Sequence, residues 1–186
     1  MSLRLILFAL CTLIFASVVR ADEPKMILPR NLLVVSDIEV SKKFYSYALG
    51  FEITRDAPIA DKITFKHLGI PDTHTAHIVV LRASGTLYGV ERDSAMLALL
   101  QVSNPPLPKI QRPANLAIGE VALALRTDDI ETVIKRLKEI GATFAVEPVR
   151  TPDGLIEMAV LDPDGMRMQI NQHADRVVTN PAPGKK

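Results

Sequence analysis

The chain predicts an α+β fold built from two βαβββ modules, and three observations carry that reading. A short apolar run, a capped amphipathic helix and a glycine stop occur twice, about ninety residues apart, as an internal duplication would have them. Further apolar runs of strand length follow each copy. Between the copies lies SNPPLPKIQRPAN, with Pro105, Pro106, Pro108 and Pro113, which suits neither a helix interior nor a central strand. The modules are placed at 28–103 and 118–172, joined by a linker at 104–117.

Ahead of them, Arg4 is followed by LILFALCTLIFASVV, fifteen apolar or small residues, with Val19 and Ala21 just before Asp22. A basic start, an apolar middle and small residues at the end read as a secretory signal over 1–21. An uncleaved anchor is the alternative, but the run falls short of the roughly 20 residues that span a bilayer. The expectation is therefore export, to a periplasm or the medium, with no membrane attachment after cleavage. Cys11, the only cysteine, leaves with the signal, which excludes thiol catalysis and thiolate metal sites in the mature chain. Losing Arg4 and Arg20 leaves 20 basic residues against 21 acidic, a net charge of −1 with no basic field for nucleic acid.

After a polar lead-in at 22–27, residues 32–35 make a first strand. Asp37 caps a helix whose stripe is Val40, Phe44 and Ala48, with Leu49 beside it, and Gly50 ends it. Residues 51–55 are a strand, and 56–72 a loop with one helical turn, ITFKHLG. Strands follow at 75–83 and 94–102, although AMLALL alone would equally suit a helix. The second copy has a strand at 120–126, a cap at Asp128 or Asp129, and the stripe Ile130, Val133, Ile134, Leu137 and Ile140 before Gly141. Strands at 144–149, 155–161 and 167–172 complete it, with Asp162-Pro163-Asp164-Gly165 as a tight turn rather than a calcium loop. Residues 173–186 read as a loose tail.

Three stretches resemble the vicinal oxygen chelate superfamily, which includes glyoxalase I, bleomycin-resistance proteins, fosfomycin-resistance enzymes and extradiol dioxygenases. They are VSDIEVSKKFYSYALGF from Val35, DIETVIKRLKEIGA from Asp129 and DPDGMRMQI from Asp162. The resemblance implies two curled sheets enclosing a cup, and a homodimer. In catalytic members it also implies one divalent metal held by a residue of each first strand and a glutamate of each last strand. The matching positions here are Arg30, Ala122, Gln169 and, by a looser alignment, Ala98, with Leu97 or Leu99 as alternatives. Alanine offers no ligand atom, glutamine one neutral oxygen, and arginine a repelling charge. No cofactor is therefore expected, with a divalent metal on divergent ligands as the alternative.

Strand alternation puts Arg30, Leu32, Ala98, Ala122, Arg167 and Gln169 on the cup's inner wall together with Glu120. Val121, Leu123 and Leu125 face the helix. Such a wall, apolar with a few placed polar groups, suits a small molecule. Arg30 either holds an anionic end of that molecule, snorkels to water, or pairs with Glu120. Glu120 is either a general base or an ordinary paired charge. His67, His74 and His77 fall outside the implied ligand positions and are candidates only for a separate metal site. Phe44, Tyr45 and Tyr47 read as core and rim. Binding of a small, largely apolar ligand is favoured over catalysis; an enzyme on this frame would be a glyoxalase I-like lyase or isomerase, or a dioxygenase.

Overall fold

A computed structural model describes residues 28–83, 86–87, 90–91, 96–152 and 154–173. The signal segment, the lead-in and nearly all of the tail lie outside them. Among the described residues no helix is long and apolar enough to cross a membrane.

The first module contains β1 (Arg30–Val34), α1 (Ile38–Lys42, continued by wider π-helical turns over Lys43–Ala48), β2 (Glu52–Ile59), α2 (Lys62–Leu68) and β3 (Thr75–Arg82). A small hairpin, β4 (Thr86–Leu87) and β5 (Val90–Glu91), precedes β6 (Met96–Ser103). The second module contains β7 (Leu123–Arg126), α3 (Ile130–Glu139), β8 (Thr143–Arg150), β9 (Leu155–Leu161) and β10 (Arg167–His173). Two four-stranded sheets result, ordered β1-β6-β3-β2 and β7-β10-β9-β8. In each, the strand before the helix pairs in parallel with the last strand, and the other pairs are antiparallel.

The duplication extends to single hydrogen bonds. Asp37 accepts from the N–H groups of Glu39 and Val40, and Asp129, rather than Asp128, from that of Thr132. The first helical N–H of each module is then taken by a glutamine of the last strand, Ile38 by Gln101 (3.3 Å) and Ile130 by Gln172 (2.7 Å). Those N–H groups have no partner inside the helix, so an amide oxygen supplied by the sheet locks helix to strand. Both helices pack on the same side of the sheets, where Phe44, Tyr45, Leu97 and Leu99 meet Ile130, Leu137, Val160 and Met168 in one core.

Several local expectations are corrected. Val40 is half exposed, because the buried stripe of α1 runs through Ile38, Ser41, Phe44, Tyr45 and Ala48. The second strand continues to Ile59, and the expected loop is largely α2, capped by Asp61 and closed by Gly69 at φ +68°. Pro58 is tolerated because β2 is the sheet's edge. In the ambiguous AMLALL stretch the described residues, Met96 onward, are strand, their burial near-continuous because the sheet is covered on both faces. In the second module β7 starts only at Leu123, so Val121 lies outside it and is exposed rather than under the helix.

Candidate binding cleft

A hollow of about 1010 Å³ lies along the free edge of β1. Every residue from Asn31 to Ser36 borders it, on both faces of the strand, so the hollow runs beside the strand rather than over the sheet. Residues 106–113 and 117–121 of the linker form the opposite wall, and the β9–β10 turn closes one end through Asp162, Asp164 and Met166. Leu32, Val34, Leu107, Ile110, Ile118 and Val121 line it and stay solvent-accessible, an apolar surface the fold leaves uncovered.

The closed end is polar. The buried Asp162 carboxylate accepts the Tyr45 hydroxyl at 2.9 Å and the N–H groups of Met166 and Asp164 at 2.7 and 3.0 Å. Burial pushes Asp162 above its ordinary value and pushes Tyr45 up as well, the latter also through the neighbouring carboxylate. Asp164 accepts the Ser36 N–H at 2.8 Å on one oxygen and meets Lys109 Nζ at 3.2 Å on the other. Burial alone would raise Asp164; its bonds to Ser36 and Lys109 outweigh that and hold it below the usual range. Arg112 donates from Nε to the Asp164 carbonyl at 3.3 Å, and its Nη1 stands 3.7 Å from Glu120. The turn thus ties the start of α1, the linker and the second sheet together. Gly165 makes it possible, since its φ of +81° is one that residues with a side chain rarely adopt.

Of the residues expected at the site, Leu32 and Glu120 line this cleft and the other five do not. Arg30 is exposed and has no side-chain partner among the described residues; Glu120 pairs instead with Arg112. Ala98 is fully buried beside Ile78 and Val80, so the volume expected from its small side chain is filled. Ala122 is exposed just ahead of β7. Arg167 donates to the Ala114 carbonyl at 3.2 Å, pinning the linker, and Gln169 donates to Glu157 at 3.2 Å. His77 and Lys42 share Asp56 at 2.5 and 2.7 Å, and Lys42 chiefly lowers that carboxylate's pKa. The His74 ring meets the Thr73 hydroxyl, and His67 lies in the last turn of α2.

The family model for the Glyoxalase/Bleomycin resistance protein/Dioxygenase superfamily matches residues 27–170. The chain belongs to this superfamily. No curated protein matches it. Among solved structures it is similar to a glyoxalase family protein from Bacillus cereus, at 16% identity and a TM-score of 0.68 over 82% of this chain and 97% of that one. It is also similar to the trypanothione-dependent glyoxalase I of Leishmania major, at 18% identity and a TM-score of 0.51 over 80% and 88%. Both likenesses concern the fold.

Strand register shows how the superfamily's implied metal positions are filled here. Leu32 pairs with Ala98 and Ala124 with Gln169, and Leu32 and Ala124 each stand five residues before the capping aspartate. Ala98 and Gln169 are therefore equivalent places on the two last strands. One is a sealed methyl group and the other an amide engaged with Glu157, while the remaining two positions are Arg30 at the start of β1 and Ala122 just ahead of β7. Among the described residues no three His, Cys, Asp or Glu side chains gather as metal ligands would. These residues do not fit a divalent cation at that place.

Sequence reasoning missed Lys109, Arg112, Asp164 and Tyr45 as residues of one locality. The available signal was slight: two cations in an otherwise proline-rich, apolar linker, and a second aspartate in the turn.

Proposed function

We propose that this protein is an exported, metal-independent binding member of the superfamily that holds a small, largely apolar molecule in the cleft beside β1. The observation that carries the reading is an open cavity of about 1010 Å³ with an apolar wall, near the upper end of ordinary ligand pockets. The residues at the implied metal positions support it, since none supplies an anionic or imidazole ligand. The apolar run from Leu5 to Val19, with a small residue at Ala21 just before Asp22, supports export.

The test is metal analysis of the purified protein together with titration by phenylnaphthylamine, an uncharged dye that brightens in apolar surroundings. Binding that survives a chelator and is lost in Leu32→Asp and Val34→Asp is the expected result. One tightly held Zn, Ni, Mn or Fe per chain, or turnover abolished by the chelator, would replace this reading with a metal-dependent lyase, isomerase or dioxygenase.

A further inference from the structure

Resting on the cleft as the binding site, we propose that its ligand carries an anionic end, and that the Arg112 guanidinium receives that end by displacing Glu120. The closed end of the cleft holds Lys109, Arg112, Asp162, Asp164 and Glu120, and the carboxylates of the turn are already committed. Asp162 is saturated by Tyr45, Met166 and Asp164. Both oxygens of Asp164 are taken, one by Ser36 and the other by Lys109. Arg112 is anchored through Nε alone, and its Cδ lies against the turn at Gly165, so the guanidinium is held in place from behind. Its two Nη groups meet only Glu120, at 3.7 Å, longer than a hydrogen bond, and find no other partner among the described residues.

Both side chains are about three-quarters withdrawn from water, 26% exposed for Arg112 and 20% for Glu120. A fixed guanidinium with open donors in a partly dry cleft is suited to a carboxylate or similar oxyanion, which accepts two parallel N–H bonds. Glu120 follows the turn closed by its own N–H to the Ala117 carbonyl, and among the described residues its carboxylate has no second anchor, so it is the group that yields. Arg30, expected from the sequence to hold such an end, borders no part of the cleft.

Decanoate, decanol and decylamine share one apolar body and differ only in the end group, so displacement of phenylnaphthylamine by each reads the end group alone. Decanoate is expected to bind about tenfold more tightly than decanol, the scale of a charge-assisted pair. Arg112→Gln should erase that difference while leaving decanol unchanged, which also shows the cleft intact. Glu120→Gln should tighten decanoate, a gain that mere loss of structure does not produce. Equal binding of decanoate and decanol, preference for decylamine, or an unchanged ratio in Arg112→Gln would overturn the anion site and leave the cleft standing. Failure of all three compounds to displace the dye would remove the cleft and this inference together.

Discussion

Over the inner face of the first sheet lies α2, which packs Phe65, with Ile70 just beyond it, on Ala76, Leu100 and Val102. The inner face of the second sheet carries no helix among the described residues and presents Ala124, Arg126 and Gln169 to solvent. The two modules share strand order, helix caps and the glutamine that closes each helix N-terminus, so the difference comes from one connection. Between β2 and β3 the chain has Asp61 to cap a helix and Phe65 to bury; between β8 and β9 it has only a short turn near Thr151 and Gly154. A duplicated frame therefore does not imply a duplicated hollow. With the first inner face filled, open space is left at the edge of β1, and the polar second face satisfies its own side chains, Gln169 with Glu157 and Arg126 with Asn171.

The largest test of that contrast is Phe65→Ala, which empties the cover of the first module. A loss of about 3–5 kcal/mol is expected in denaturant unfolding, as for other fully buried aromatics. Tyr45→Phe is the next largest, because it leaves the buried Asp162 carboxylate one donor short where the two modules meet. About 1–3 kcal/mol should be lost, with the apolar packing of the ring retained.

The same turn sharpens the comparison through pH. Asp164 is depressed below the ordinary aspartate value of 3.8, so the stability it contributes is present above that value and is lost as pH falls toward its folded-state pKa. Asp162 is raised above 3.8, so stability falls as pH climbs from there through its folded-state pKa. Thermal midpoints against pH should therefore show a flatter acid limb in Asp164→Asn and a flatter decline above it in Asp162→Asn; parallel curves for all three proteins would contradict the assignment. The smallest effect belongs to Gln169→Ala on the open second face, expected within about 0.5 kcal/mol of wild type. A cost there like that of Phe65→Ala would mean the second face is covered too.

Where the expectations succeeded, the cause of the structure was local. Asp37 and Asp129 cap because a carboxylate sits just before an amphipathic run, and the stripe from Ile130 to Leu137 needs only its own periodicity. Where they failed, a partner far along the chain intervened. Tyr45 displaced Val40 from the buried stripe of α1, and that tyrosine meets Asp162, 117 residues away. The small side chain of Ala98 leaves no volume, because its strand is paired and covered on both sides. Glu120 was weighed against Arg30, and folding delivered Arg112 from the linker instead.

The amino-acid order alone determined the two modules and the superfamily resemblance. Those depend on caps, periodicity and the identity of single side chains, all carried by near neighbours in the chain. Only the tertiary structure decided where the hollow lies and which charges line it. A cavity is the space that packing leaves between segments as distant as β1, the linker and the β9–β10 turn, and no local pattern encodes that remainder.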